Sequence, residues 1–276
     1  PDLVRMLDNV LTYFIENSDP SLHRAAYSAM RERSIGLGAM GFHAYLQRHN
    51  IPFESPMAKG RNLQMFTRIK GEAVRATENL AMERGACPDD INGRVRNAHL
   101  LAIAPNASSS IICGNTSPSI EPYRANAFTQ KTKSGSSLLK NEYLEAVLQD
   151  LEQDTEEVWK SIITNSGSVQ HLDFLDEWTK DVFKTAVEID QRWVIEMAAD
   201  RQEYICQSQS LNVFFPSNVS KQELHAIHMM AWKRGVKTLY YLRSEAFKRA
   251  ENVSDEALRE LIFESIDEEG CLACEG

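Results

Sequence analysis

Leu100-Leu101-Ala102-Ile103-Ala104-Pro105-Asn106-Ala107-Ser108-Ser109-Ser110 is the stretch on which the reading of this chain turns. Its first five residues form a short apolar run of the length a buried strand needs. A Pro-Asn turn follows at once, and then three serines suited to a helix start. Strand and helix therefore alternate here. At such a start the unpaired N–H groups and the positive end of the helix dipole favour an anion, and the hydroxyls add donors. Serines also cap helices for purely structural reasons, and the residues alone leave both readings open. The lysine of a Walker-type loop is absent, which argues against ATP hydrolysis at this turn.

Toward the C-terminus, residues 210–215 read as another strand. Ser220-Lys221-Gln222-Glu223 is a capping box that opens a helix running to Arg234 and ending at Gly235. Residues 236–242 are rich in β-branched and aromatic side chains and are predicted to be a strand. A helix–Gly–strand join of this kind is the wiring of an α/β protein. Toward the N-terminus, residues 62–84 are helical and closed by Gly85 and Cys87-Pro88. A helix starts at residues 42–48, after a glycine-punctuated stretch at 33–41. Apolar residues at Leu3, Met6, Leu7, Val10, Leu11 and Phe14 mark an amphipathic helix already under way at the first residues. With Pro1 in place of an initiator Met, this reads as a piece of something longer. Residues 128–137 are polar and loop-like. Helical patterns occupy 138–151, 158–163, 178–199 and 254–263, and an acidic tail without Lys or Arg follows.

The formal net charge of -9, from 30 Lys and Arg against 39 Asp and Glu, gives no overall basic footprint, so a nucleic-acid duplex is not an expected partner. No apolar run approaches the ~20 residues of a membrane helix, and the N-terminus lacks a signal-peptide pattern. A cytoplasmic location is the expectation. Five cysteines scattered over 276 residues do not resemble a secreted disulfide framework.

Gly36-Leu37-Gly38-Ala39-Met40-Gly41 matches the dinucleotide fingerprint letter for letter. The residues before it, Arg31-Glu32-Arg33, are not an apolar strand, so close packing at a strand–helix corner is the better reading. Cys113 and Cys206 read as small buried hydrophobes, and His225 and His228 as ordinary helix residues. Cys271 and Cys274, two residues apart in the acidic tail, form a candidate redox pair. A zinc site would want four ligands, and the tail supplies two. Tyr240 and Tyr241 are adjacent in a predicted strand, where neighbours point to opposite faces. Packing explains them, unless the chain bends after Tyr240 and brings the rings together. Losing an electron makes a phenol far more acidic than its usual pKa of ~10, so its proton must move as well. Adjacent phenols could then pass a radical.

Taken together, Arg33-Ser34-Ile35-Gly36-Leu37-Gly38, Arg84-Gly85-Ala86-Cys87-Pro88, Ala104-Pro105-Asn106-Ala107-Ser108-Ser109-Ser110, Ser119-Ile120-Glu121-Pro122-Tyr123 and Gly235-Val236-Lys237-Thr238-Leu239-Tyr240-Tyr241 resemble, in order and spacing, the large (α) subunit of class I ribonucleotide reductase. The resemblance covers the whole chain. It implies an α/β fold: the C-terminal portion of a ten-stranded α/β barrel, helix-rich, over residues 1–263, followed by a flexible redox tail at 264–276.

It also implies a function, the radical reduction of ribonucleoside diphosphates to deoxyribonucleotides. Pro105, Asn106, Ala107, Ser108 and Ser109 would hold the substrate diphosphate. Tyr240 and Tyr241 would transfer the radical from a small, metal-containing subunit toward a thiyl cysteine. Cys271 and Cys274 would re-reduce the active-site disulfide and exchange with thioredoxin or glutaredoxin. No metal or cofactor is expected on this chain itself. The expected partners are an N-terminal half of the large subunit, the small subunit, the reductant and a second large subunit. The family's Asn-x-Cys-x-Glu segment, its reducing cysteine pair and its regulatory sites find no counterpart here and are expected upstream of Pro1. The tail cysteines are spaced more tightly than the family pattern. Two rivals stand beside this reading. One is an adenosylcobalamin-dependent reductase, which needs no tyrosine relay. The other is a non-catalytic remnant acting as an interaction module.

Overall fold

In the computed structural model, which describes residues 1–132 and 135–244, the apolar run at 100–104 lies extended between two parallel neighbours. On one side Leu37 N–H donates to Leu100 O at 2.8 Å and Ala102 N–H to Leu37 O at 3.1 Å. On the other, Ile103 N–H donates to Ser208 O at 3.1 Å and Ser210 N–H to Ile103 O at 2.8 Å. The chain then continues into Val213–Phe215, which pairs in parallel with Leu242–Ser244. Parallel segments thus stand side by side in the order in which they occur in the sequence. Such neighbours need long crossovers, and helices fill them.

In chain order, α1 (Asp2–Asn17) and α2 (His23–Glu32) precede the first extended segment. After it, α3 (Phe42–Arg48) and α4 (Pro56–Arg84) lead to the segment at 100–104. The next crossover holds α5 (Ala107–Ile112), the antiparallel hairpin of β1 (Ala127–Thr132) and β2 (Gly135–Lys140), and four more helices. These are α6 (Glu142–Asp150), α7 (Glu156–Thr164), α8 (Glu177–Val182) and α9 (Gln191–Gln202). Then come β3 (Val213–Phe215), α10 (Lys221–Lys233) and β4 (Leu242–Ser244).

The helix starts follow from their caps. Ser55 Oγ accepts from Ala58 N–H at 3.1 Å with Pro56 in the first turn, and Ser220 Oγ accepts from Glu223 N–H at 3.1 Å. Asn141, Thr155, Asp176 and Asp190 cap α6 to α9 in the same way. α4 ends at Gly85, whose φ of 86° lies outside what other residues favour.

Two apolar clusters result. One joins α1, α3, α4, α9 and α10 to the parallel segments through residues such as Phe42, Phe66, Leu101, Ile103, Leu211 and Ile227. The other, built on Leu144, Leu148, Trp159, Ile162 and Phe183, packs α6 and α7 with the segment at 169–183. The glycines of the dinucleotide-like stretch serve close approach. A Cβ on Gly38 would sit 2.7 Å from the Ala102 carbonyl oxygen, and Gly41 combines a φ of 82° with Thr116 Oγ1 only 2.6 Å from where its Cβ would be. α1 is tied down by Asp8, fully buried and hydrogen-bonded to Arg33 Nε at 2.8 Å and Arg84 at 3.1 Å. Burial works against its charge, yet these guanidinium groups hold the Asp8 carboxyl below the usual carboxylate range.

Several expectations needed correction. Of residues 128–137, read as loop because they are polar, 128–132 and 135–137 belong to the β1–β2 hairpin; an antiparallel ribbon takes its pairing from backbone hydrogen bonds and needs little apolar patterning. The helical pattern at 138–151 begins only at Glu142, since β2 runs to Lys140. The stretch at 178–199 breaks into α8 and α9, because Asp190 caps a new helix through Arg192 N–H at 2.9 Å. Cys113 is exposed and Cys206 only half-buried, where its Sγ accepts from Leu100 N–H at 3.1 Å. The segment predicted as strand at 236–242 becomes regular only at β4. Residues 254–263 and the tail lie outside the described residues. No helix among the described residues is long and apolar enough to cross a membrane.

Candidate functional site

Pro105 and Asn106 end the extended run. Asn106 adopts the left-handed conformation, φ 55°, which asparagine tolerates better than most residues, and its carbonyl accepts Ser110 N–H at 3.0 Å to start α5. Ser110 Oγ donates back to Ala107 O at 2.8 Å and is buried, whereas Ala107, Ser108 and Ser109 are exposed. The first-turn N–H groups of a helix have no intrahelical acceptor. Beside this turn opens a cleft of ≈ 560 Å³, lined by residues including Gly36, Ala102, Pro105, Gln207, Ser208 and Ser210. The exposed first turn of α5, directly after Pro105 in the cleft wall, offers backbone and hydroxyl donors of the kind an anionic group requires.

One segment further along the same parallel set lie the tyrosines. Tyr240 N–H donates to Leu211 O at 2.8 Å, and Val213 N–H donates to Tyr241 O at 3.0 Å. In a regular parallel ladder the first bond would set Leu211 opposite Leu239, yet Val213 pairs with Leu242. Two residues, Tyr240 and Tyr241, therefore stand opposite one, Asn212. This two-against-one placement, like that of a β-bulge, stands at the start of the β3–β4 ladder and breaks the alternation that would send neighbouring side chains to opposite faces. The two ring centroids lie 4.1 Å apart with their planes at 56°. The bend expected after Tyr240, with rings that approach each other, is present. Tyr240 is 43% exposed, and the guanidinium of Arg243 sits over the Tyr241 ring, 4.8 Å from its centroid.

The bulge displaces Tyr241 N–H from the ladder, and Asn212 Oδ1 accepts it at 3.0 Å. Asn212 N–H in turn donates to Glu121 Oε1 at 3.2 Å. Glu121 is buried, and burial pushes its carboxyl up to about 7, only partly offset by the Asn212 hydrogen bonds and by Arg243 and Arg124. Behind this strand the fully buried Arg201 donates to Gln209 Oε1 at 2.7 Å and Asn62 Oδ1 at 2.8 Å, which fastens the 207–215 segment to α9 and α4. Desolvation brings that guanidinium down to about 9.

Of the residues expected to hold a phosphate, Pro105 lines the cleft, and Asn106, Ala107, Ser108 and Ser109 follow it in the turn and the first turn of α5; Tyr240 and Tyr241 are bonded to the segment that continues from Ser210. Cys271 and Cys274 lie outside the described residues. Asn212, Arg243 and Arg201 were not anticipated. Glu121 lies in the Ser119–Tyr123 motif, where a carboxylate between Ile120 and Pro122 was the available signal. Among the described residues no three His, Cys, Asp or Glu side chains converge to hold a metal ion.

Parallel segments joined by helical crossovers, with a cleft beside the turn after one of them, define a partial α/β barrel. The sequence model described as "Ribonucleotide reductase, barrel domain" matches residues 2–93 and 89–242, and the chain belongs to that family. Over 258 residues it is 51% identical to the ribonucleoside-diphosphate reductase large subunit of Invertebrate iridescent virus 6, covering 92% of this chain and 27% of that protein. It is 48% identical over 277 residues to the putative large subunit of Frog virus 3, covering 99% and 48%. Among solved structures, the class Id ribonucleotide reductase alpha subunit of Actinobacillus ureae superposes with a TM-score of 0.82 at 40% identity, covering 88% of this chain and 45% of that one. The chain therefore spans half or less of the length of each of these relatives.

Proposed function

We propose that this chain acts within a ribonucleotide reductase large subunit, in the radical reduction of ribonucleoside diphosphates. In this reading the turn at Pro105, Asn106, Ala107, Ser108 and Ser109 receives the substrate diphosphate, with free first-turn N–H groups and two hydroxyls as donors. Tyr240 and Tyr241 pass an oxidising equivalent. At each transfer one electron and one proton leave one phenol and restore the oxidised neighbour, so ring contact is what the step requires. The observation that carries the reading is the 4.1 Å approach of the two rings, which a regular strand forbids.

The oxidising equivalent is assigned to a small, metal-bearing subunit. Its acceptor is a cysteine thiol in the part of the relatives' length that this chain does not span. Each deoxyribonucleotide formed takes two electrons from a dithiol, which closes to a disulfide. Cys271 and Cys274, assigned by family resemblance, would open that disulfide by thiol exchange and pass the oxidation on to thioredoxin or glutaredoxin.

The test uses a full-length large subunit carrying this sequence, with its small subunit. Tyr240→Phe and Tyr241→Phe are each expected to bring deoxyribonucleotide formation to background while substrate binding, measured by equilibrium dialysis, is retained. Normal turnover in either variant removes the relay. Replacing Cys271 and Cys274 with Ser is expected to leave a single turnover and to stop thioredoxin-driven cycling; sustained cycling takes the tail out of the mechanism.

A further inference from the structure

The two tyrosine rings meet where the chain enters its parallel pairing with two residues against one, and such a bulge-like start leaves one backbone N–H without its ladder partner. Here that N–H belongs to Tyr241, and its acceptor is a side chain, Asn212 Oδ1 at 3.0 Å. Asn212 is itself buried and held from below, since its own N–H reaches Glu121 Oε1 at 3.2 Å across 91 positions of sequence. Tyr240 N–H and Tyr241 O are taken by Leu211 and Val213, the residues on either side of Asn212. The backbone of the ring pair thus leans on three consecutive residues, and the middle one is locked by the carboxyl group. Charged neighbours close the arrangement from two other directions. Arg243 caps the Tyr241 ring and, with Arg124 and the buried Arg201, faces the Glu121 carboxyl.

We infer that Glu121 and Asn212 are positioning residues for the tyrosine pair: Asn212 captures the displaced Tyr241 N–H, and Glu121 fixes Asn212 so that the two rings stay in contact. The inference rests on the relay reading for its purpose, but the positioning is tested without turnover. It assigns the pair's geometry to two side chains far from it in sequence. Glu121 acts as a hydrogen-bond acceptor, a role its uncharged amide analogue can also fill.

The experiment is 19F NMR of a full-length large subunit carrying this sequence and labelled with 3-fluorotyrosine, in which Tyr240 and Tyr241 are assigned by the resonance lost in Tyr240→Phe and Tyr241→Phe. Rings in contact shift each other's resonance, so each single substitution is expected to move the partner's signal. In Asn212→Ala and Glu121→Ala that mutual shift is expected to vanish while the other tyrosine resonances keep their positions. Glu121→Gln, which retains the acceptor, is expected to preserve it. Unchanged mutual shifts in both alanine variants overturn the inference, as does loss of the shift in Glu121→Gln with the other tyrosines unmoved. Should the alanine variants lose the folded spectrum altogether, Asn212→Thr decides, because its hydroxyl is too short to reach Tyr241 N–H. That variant must separate the rings.

In the assembled reductase, Asn212→Ala is further expected to lower kcat by between about tenfold and a hundredfold at unchanged KM. Separated rings with full turnover would leave the positioning standing and sink the relay instead.

Discussion

The turn at Pro105 and the bulge at Tyr240 lie one extended segment apart, and they are held in opposite ways. The turn is made by its own residues: Asn106 O takes Ser110 N–H at 3.0 Å, and Ala107 O takes Ser110 Oγ at 2.8 Å. The bulge is made by strangers. Its bond to Asn212 spans 29 positions, and the bond behind it, to Glu121, spans 91. A locally built site can be altered residue by residue, with effects that stay where they are made. A site assembled from distant residues depends on the packing that brings them together.

Four experiments would break or sharpen that contrast. The largest effect is expected for Arg201→Ala, on the long-range side. It removes a fully buried side chain and leaves the buried carbonyls of Gln209 and Asn62 without donors, at a cost of at least about 3 kcal/mol in urea unfolding. A loss under about 1 kcal/mol would mean that the 207–215 segment does not depend on this anchor.

Glu121→Gln comes next and carries a pH signature. The folded carboxyl titrates at about 7, above its ordinary value of 4.5, so between those pH values the native state holds a proton that the unfolded chain has released. This group's contribution to stability therefore falls as pH rises from about 4.5 to about 7, by up to about 3 kcal/mol. Removing the charge is expected to raise stability relative to the parent at pH 8 and to change it little at pH 5. Equal differences at both pH values would show that Glu121 is not a buried acid of this kind.

Effects at the turn should be smaller and of another type. If the turn has the proposed role, Ser108→Ala combined with Ser109→Ala in the full-length large subunit raises KM for a ribonucleoside diphosphate about tenfold with kcat held, the pattern of lost ground-state binding. A fall in kcat at constant KM would move these hydroxyls out of substrate binding. The smallest effect belongs to Asn106, whose φ of 55° alanine tolerates poorly. Asn106→Ala is expected to cost about 1 kcal/mol, and Asn106→Gly to be close to neutral. Equal costs for the two would separate the turn's stability from its backbone conformation.

The same contrast explains what could be read in advance. The helices at Phe42–Arg48 and Lys221–Lys233, the end of α4 at Gly85 and the strand–turn–helix at 100–110 were legible because caps, glycines and apolar runs act on their immediate neighbours. The β1–β2 hairpin was missed because its pairing lies in backbone hydrogen bonds that polar side chains do not advertise. The gap between α8 and α9 was missed because Asp190 was read as part of a helix face when it caps a new start. At the tyrosines, strand propensity placed the segment, and only the expectation of a bend anticipated the ring contact. The residues that produce the bend, Asn212 and Glu121, could not be inferred from any spacing, since their relation to Tyr241 exists only in the folded chain.

The bulge also has a genetic consequence. A one-codon deletion at Tyr240 or Tyr241 would close the ladder, restore a regular parallel pairing and release Asn212 from its substitute role. Such a deletion would also leave one phenol where two now touch, so the ring contact is tied to the length of this segment by a single residue.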